Sequence, residues 1–152
     1  MLNVVLVEPE IPPNTGNIAR LCVAVGARLH LVEPLGFKID DRALKRAGMD
    51  YWNQCDVQLW KSFPALQAAN LEGRFFFLTT KSKRIYWSAA YRDEDFLVFG
   101  RETRGLPESL LEEHAHSCLT LPMRPEARSL NLATAVGAVL YEAVRQLAAC
   151  EK

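Results

Sequence analysis

The 152-residue sequence lacks most of the patterns that mark metal sites, disulfide frameworks and membrane segments. Its four cysteines are scattered, without the C-x-x-C spacing of a zinc site or a redox pair. The three histidines form no metal-ligand pattern, so we expect no metal. No apolar run reaches the ~18 residues of a transmembrane helix, and the N-terminus lacks a signal-peptide pattern. We therefore expect a cytoplasmic protein with reduced thiols and no membrane association. The cysteines are Cys22, Cys55, Cys118 and Cys150.

Net charge is lacking as well, because 18 basic residues balance 18 acidic ones. The average therefore gives no sign of a polyanionic partner, although a local basic face is enough to bind phosphate. With 49% hydrophobic and 24% charged residues, the composition is typical of a globular protein. The length predicts a single domain, 1–152, without a separate RNA-binding domain.

Apolar runs alternate with helix-like segments along the chain. Short, nearly continuous apolar runs predict strands that are buried on both faces. The predicted strands are 2–7, 29–32, 57–60, 75–79, 96–99 and 119–121. The predicted helices are 18–25, 40–47, 65–69, 107–113 and 130–149. This alternation predicts an α/β fold, with a mostly parallel sheet covered by helices on both faces.

Several helix boundaries carry recognisable signals. The prolines up to Pro13 exclude a helix, so the first helix is expected to begin after them, with Asn14 or Thr15 as its cap. Gly26 suits the C-terminal end of this helix. Ser62 is the predicted cap of the third helix.

The last predicted helix, 130–149, has apolar residues on nearly every side. Such a helix must be buried on nearly every side. A second copy of the chain is a natural cover, so we expect a homodimer that forms through this helix. The alternative is a helix wrapped entirely by its own chain.

Three polar clusters, 12–20, 100–105 and 128–131, each lie between a predicted strand and a predicted helix. Open α/β sheets place their ligand sites in the crevice beyond the carboxyl ends of the strands. We therefore expect the functional site to be built from these clusters.

The first cluster contains Asn14, Asn17 and Arg20, which together suit a phosphate or ribose. Arg20 lies in an otherwise apolar helix, where an unpaired guanidinium is costly to bury, so it needs a partner or an anion. The alternative for the tetrapeptide that starts at Asn14 is a simple helix cap.

The second cluster has glycines at 100 and 105, but Leu106 and Pro107 replace the Lys-Ser/Thr of a phosphate loop, which excludes an NTPase of that type. No G-x-G-x-x-G follows the first strand. Gly100 would permit close approach of a ligand, and Glu102 could accept its hydrogen bonds. The alternative is a tight turn with a solvated glutamate.

The third cluster opens the last helix, where Ser129 is the predicted cap. Asn131 is unexpected inside an apolar helix start, since it weakens helix propensity.

The segment 81–92 is basic and aromatic and contains no acid. Basic and aromatic residues together suit single-stranded RNA, through phosphate contacts and base stacking. An ordinary surface loop is the alternative. The basic residues are Lys81, Lys83, Arg84 and Arg92.

Taken together, the clusters resemble the three sequence motifs of the SpoU (SPOUT) RNA 2'-O-ribose methyltransferases. Segment 14–20 is similar to the first motif, 99–106 to the second and 121–136 to the third. The motifs follow the family's order and span nearly the whole chain. Within the family, the compact length and the segment 8–17 resemble members that modify the wobble nucleotide of tRNA. Arg101 departs from the proline that is common in those members.

The resemblance implies an α/β fold with a C-terminal trefoil knot, in which a homodimer binds S-adenosylmethionine without a metal. It implies methyl transfer to the ribose 2'-hydroxyl of wobble nucleotide 34, a cytidine or modified uridine, in leucine tRNAs. The anticodon stem-loop would be the partner. The alternative is a non-catalytic RNA-binding or assembly protein that kept the fold.

Carried over by position, the resemblance assigns the central role to Arg20, acting on the 2'-hydroxyl and a nearby phosphate. Because arginine stays protonated, we interpret Arg20 as a positioning and charge-stabilising group. The supporting catalytic residues are Asn14, Glu102, Ser129 and Asn131. The donor-binding residues are Leu78, Thr79, Gly100, Leu121, Met123, Ser129 and Leu130. The expected RNA-binding residues are Arg20, Lys81, Lys83 and Arg84.

Overall fold

The computed structural model describes residues 1–150, apart from the side chains of residues 49 and 50. The strands are β1 (Asn3–Val7), β2 (Arg28–Val32), β3 (Val57–Trp60), β4 (Phe75–Leu78), β5 (Phe96–Phe99) and β6 (Cys118–Leu119). The α-helices are α1 (Pro12–Val25), α2 (Arg42–Gly48), α3 (Phe63–Ala69), α4 (Glu108–Glu113) and α5 (Leu132–Cys150). The strands form one parallel sheet in the order β3-β2-β1-β5-β4-β6. The predicted α/β fold is confirmed.

The central strands are buried on both faces, as their continuous apolar runs predict, whereas the edge strand β3 is partly exposed. Leu6 of β1 packs with Ile18 of α1 and Val136 of α5. Its neighbour Val5 points to the other face and packs with Phe63 of α3. Helices α1 and α5 therefore cover one face, and α3 and α4 cover the other.

Helix α1 begins earlier than predicted. Pro12 and Pro13 occupy its first turn, where the backbone N–H groups have no intrahelical partner, so a missing donor costs nothing. The prediction that Asn14 or Thr15 caps this helix is wrong, because both lie inside it. The predicted end is confirmed, since Gly26 has a left-handed φ of 71°.

Helix α5 begins at Leu132, and Asn131 is its cap. Asn131 Oδ1 accepts a hydrogen bond of 3.2 Å from the N–H of Thr134. The prediction that Ser129 is the cap is wrong, and Asn131 stands outside the helix in a position that favours asparagine. The expected burial of α5 on nearly every side is not reached within one chain, since Tyr141 is 50% exposed. No helix in the described part of the chain is long and apolar enough to cross a membrane.

Candidate active site

A cavity of about 620 Å³ lies at the carboxyl ends of β4, β5 and β6. Its walls come from the loops that follow these strands and from the first turns of α1 and α5. The three polar clusters of the sequence thus meet at one edge of the sheet, as parallel strands require. The residues predicted to bind the donor all line the cavity: Leu78, Thr79, Gly100, Leu121, Met123, Ser129 and Leu130.

The loop after β5 leaves no room for a side chain at position 100, so this position requires glycine. A Cβ at this position would lie 2.1 Å from the carbonyl carbon of Gly105. Arg101 and Gly105 exchange backbone hydrogen bonds, and Gly105 has a φ of 66°, so the loop folds back onto Gly100. The loop itself therefore approaches Gly100 closely, and the predicted close approach of a ligand at this glycine, which also lines the cavity, stays a prediction.

Glu102 ties the loop after β5 to the residues just before α1. One carboxylate oxygen accepts a hydrogen bond of 2.8 Å from the N–H of Glu10, and the other accepts one of 3.1 Å from the N–H of Ile11. Glu102 borders the cavity, but both of its oxygens bond to backbone. These hydrogen bonds show that Glu102 holds the two loops together, and its predicted contact with a ligand stays a prediction.

Two further contacts join the same loops. Arg101 Nε donates to Glu8 Oε2 at 2.8 Å. The N–H and hydroxyl of Thr103 both donate to Glu10 Oε1, and these hydrogen bonds lower the pKa of Glu10. Glu8 has a φ of 54°, which is uncommon for a residue other than glycine. With Glu102, these residues form what we call the inter-loop network.

Sequence reasoning missed Glu8 and Glu10. Their partners lie 93 positions further along the chain, beyond any local pattern. The available signal was the pair of acidic residues directly after β1, on the same edge of the sheet as Arg101.

Asn14 and Asn131 meet beside the cavity, and both line it. Asn131 Nδ2 donates a hydrogen bond of 3.0 Å to Asn14 Oδ1. Asn14 is 8% exposed, so the contact holds a nearly buried side chain in one orientation. The structure thus brings together two predicted catalytic residues from the first and third clusters.

Arg20 lies apart from the other predicted catalytic residues. It is exposed, it does not line the cavity, and its guanidinium lies 5.7 Å from the centroid of the Tyr51 ring. The expectation of a guanidinium buried in an apolar helix is therefore wrong, since solvent and a cation–π contact accommodate the charge. Arg20 is six residues beyond Asn14, about 9 Å along α1.

The basic residues of segment 81–92 lie partly at the cavity and partly outside it. Lys81 lines the cavity, where its Nζ lies 2.7 Å from an oxygen of Glu108. This ion pair lowers the pKa of the Glu108 carboxyl. Lys83 and Arg84 lie outside the cavity, and Arg84 donates to the carbonyl of His116 at 3.3 Å.

The chain matches the model of the SpoU rRNA Methylase family over residues 1–141. It is 51% identical over 148 residues to the tRNA (cytidine(34)-2'-O)-methyltransferase of Escherichia coli K12, an alignment that covers 97% of this chain and 94% of that protein. A solved structure described as "Structural insights into the 2-OH methylation of C/U34 on tRNA" is 46% identical, with a TM-score of 0.94, over 98% of this chain and 97% of that one.

A more distant structure is the SpoU methyltransferase AviRb of Streptomyces viridochromogenes in complex with the cofactor AdoMet. It is 26% identical, with a TM-score of 0.83, over 96% of this chain and 60% of that one. The family model covers residues 1–141, and the alignment with the Escherichia coli protein covers 97% of this chain. The chain therefore belongs to the SpoU rRNA Methylase family, a family of methyltransferases.

Proposed function

We propose that this chain transfers a methyl group from S-adenosylmethionine to the 2'-hydroxyl of wobble nucleotide 34, a cytidine or modified uridine, in leucine tRNAs. The observation that carries the proposal is the cavity, which gathers every predicted donor-binding residue and all the predicted catalytic residues except Arg20. Two relatives are named for methylation of nucleotide 34 of tRNA, which supports the choice of nucleotide.

The residues that line the cavity fit S-adenosylmethionine. A volume of about 620 Å³ is within the usual range of roughly 300–1,000 Å³ for cofactor sites. The side chains of Leu78 and Leu106 are apolar and suit the adenine ring, while the backbone near Gly100 and Leu121 offers donors and acceptors. When bound, this cofactor supplies a methyl group on a positively charged sulfur.

Arg20 acts on the RNA in this proposal. Its exposed guanidinium can donate two parallel hydrogen bonds to a phosphate or to ribose oxygens. Loss of the 2'-hydroxyl proton to solvent would place negative charge on the oxygen, and the nearby Arg20 cation would stabilise that charge. The oxygen would then take the methyl group as the carbon–sulfur bond of the donor breaks, which leaves neutral S-adenosylhomocysteine. Asn14 and Asn131, fixed by their mutual hydrogen bond, orient the ribose, and Ser129 supports them from the rim of the cavity.

A homodimer through α5 completes the site in this proposal. Tyr141 of α5 is half exposed, although the helix is otherwise largely apolar. Arg20 lies on α1 beside α5, since its neighbour Leu21 is 3.9 Å from where a Cβ of Gly137 would lie. A second copy that covers α5 would bring Arg20 towards the partner's cavity. Mixing Arg20→Ala and Asn131→Ala chains tests this, because shared sites would restore activity in the mixed dimer.

The trefoil knot stays a prediction from the family. The segment between β6 and α5 contacts two earlier parts of the chain. The N–H of Thr120 donates to the carbonyl of Arg84 at 2.8 Å, and Asn131 donates to Asn14. Contacts of this kind support a C-terminal segment that passes beside earlier loops.

The tRNA anticodon stem-loop would contact Arg20 and the basic residues Lys81, Lys83 and Arg84. The double substitution of Lys83 and Arg84 by glutamate should weaken tRNA binding and leave donor binding unchanged, because neither residue lines the cavity. Equal tRNA affinity in the variant and the wild type would remove these two residues from the RNA site.

The rival function is that of a non-catalytic RNA-binding or assembly protein. Equilibrium titration with S-adenosylmethionine, followed by transfer of its labelled methyl group to unmodified bulk tRNA, separates the two. The proposal predicts both binding and transfer. The absence of both donor binding and methyl transfer would favour the rival function.

A further inference from the structure

A second groove, of about 630 Å³, lies at the amino end of β4, at the opposite end of this strand from the candidate active site. It opens between the carboxyl ends of α3 and α4. Among the described residues that line it, none is acidic, in a chain whose acidic and basic residues are equal in number. The cationic or titratable lining residues are Arg74, Arg84, Arg92, His114 and His116. We call this the arginine groove.

The guanidinium groups of the three arginines differ in how many of their donors already bond to other parts of the chain. Arg74 pairs with the buried Asp95 at 3.2 Å and therefore serves the structure. Arg84 uses one N–H for the carbonyl of His116, and a guanidinium has five donors, so it keeps donors for a ligand. The exposed Arg92 guanidinium has no ion pair with any carboxylate in the described part of the chain.

Compensation of the partial negative charge at the helix ends does not explain every arginine in the groove. The carboxyl ends of α3 and α4 carry partial negative charge and favour a cation nearby. The hydrogen bond from Arg84 to the carbonyl of His116 meets that demand after α4. Burial raises the pKa of Asp95, and the charge of Arg92 opposes that rise, but Arg92 caps no carbonyl in the described residues, so its donors stay available to a ligand.

The basic segment 81–84 leads from the candidate active site to the arginine groove. Lys81 lines the cavity, Lys81 and Lys83 together line a shallow depression beside α4, and Arg84 lines the groove. Along β4, Phe75 lines the groove and Leu78 lines the cavity, with the fully buried Phe77 between them. Three residues of a strand span roughly 10 Å, a distance of a few nucleotides.

We infer that the arginine groove binds the sugar–phosphate backbone of the RNA at nucleotides that flank the one whose ribose is methylated. Guanidinium groups match phosphate oxygens in a bidentate geometry, and a groove lined by cations suits a polyanion. This inference rests on the proposed function and extends it, because it places a second RNA contact outside the methyl-transfer site. Arg92 and Arg84 are the residues that would contact phosphate.

Substitution of Arg92 tests the inference, because the side chain is exposed and its removal should leave the fold intact. Arg92→Glu should lower the affinity for unmodified tRNA about tenfold, the loss expected for one charge-assisted contact. Arg92→Ala should make the slope of log affinity against log salt shallower by about 0.7 to 0.9, the value for one lost phosphate contact. Donor affinity should not change in either variant.

Lys61→Glu is the matched control, since Lys61 is 90% exposed and follows β3 at the far edge of the sheet. It should bind tRNA like the wild type. Wild-type tRNA affinity and salt slope in both Arg92 variants would overturn the inference while leaving the proposed function in place. If the wild-type protein neither binds tRNA nor transfers a methyl group, the proposed function is overturned, and the inference falls with it.

Discussion

The carboxyl ends of the central strands carry one network of polar residues, and a second network crosses β1, β2 and β3, but the two are used differently. At the carboxyl ends, Glu102 and Asn131 bond across loops and leave a cavity between them. Across β1, β2 and β3, Trp60 Nε1 donates to His30 Nδ1 at 2.9 Å, and His30 Nε2 lies 2.9 Å from Asn3 Oδ1.

Asn3 and His30 are both buried, so this second network is part of the packed interior. A polar residue at the end of a strand is therefore not in itself a sign of function. The sign of function is that the hydrogen-bonded side chains border a cavity and are not packed in the interior. Substitutions in the network at the carboxyl ends should change binding or turnover, and substitutions of Asn3 or His30 should change stability.

The largest expected effect is that of Arg20→Ala on methyl transfer. Loss of one charge-stabilising donor from a reaction site costs roughly 10²- to 10³-fold in rate, so turnover should fall by about that factor. Donor affinity should stay at the wild-type value, because Arg20 does not line the cavity. Labelled methyl transfer and donor titration measure the two quantities. Arg42→Ala, at another exposed arginine, is the control, and near-normal turnover of Arg20→Ala would contradict the assignment.

The pH dependence of stability should come largely from His30. Burial, followed by the charge of Arg28, lowers the pKa of His30 from 6.5 to about 4. As the pH falls from 6.5 to about 4, His30 takes up a proton in the unfolded chain but stays neutral in the folded chain. The free energy of unfolding should therefore decrease as the pH falls through this range. At about 1.4 kcal/mol for each pH unit, the loss totals roughly 3 kcal/mol.

Urea denaturation at a series of pH values measures this loss. Replacing His30 with glutamine should flatten the pH profile. His116→Gln, at an exposed histidine, should not change the profile. A wild-type profile that stays level from pH 6.5 to 4 would contradict a neutral, buried His30.

A smaller loss of stability is expected for Asn3→Leu. The substitution removes the acceptor for His30 and leaves a buried imidazole N–H unsatisfied, which costs about 2 kcal/mol. Turnover and donor affinity should stay within twofold of the wild type, since Asn3 lies at the end of β1 away from the cavity. Chemical denaturation and methyl transfer measure the two. A tenfold loss of turnover in a folded variant would contradict the contrast between the two networks.

The smallest expected effect separates the two roles of Asn131. Asn131→Ser keeps an oxygen that can cap α5 but is too short to reach Asn14, whereas Asn131→Ala loses both contacts. Only the alanine variant should lose about 1 kcal/mol of stability. Both should lose turnover, by about tenfold, because Asn14 is no longer held. Full activity in the serine variant would show that Asn131 caps α5 and has no role in holding Asn14 for the reaction.

The strands could be predicted from the sequence because burial on both faces leaves an unbroken apolar run. Phe75–Leu78 is an example, found within one residue of the predicted 75–79. The site followed from the strands, since parallel strands bring the ends of distant segments to one edge.

The helix starts could not be predicted in the same way, because local rules permit more than one answer. Pro12 can break a helix or occupy its first turn, and Asn131 can weaken a helix or cap it. The contacts of Glu102 depend on residues 91 and 92 positions away, so only the folded chain shows them. Packing, not local propensity, decides these cases.

The central claim is tested most directly by mass-spectrometric mapping of the methyl group on unmodified leucine tRNA after incubation with the protein and S-adenosylmethionine. The proposed function predicts a single 2'-O-methyl group at nucleotide 34 with the wild-type protein and almost none with Arg20→Ala. A methyl group on a base, at another nucleotide, or absent from the RNA altogether would contradict it.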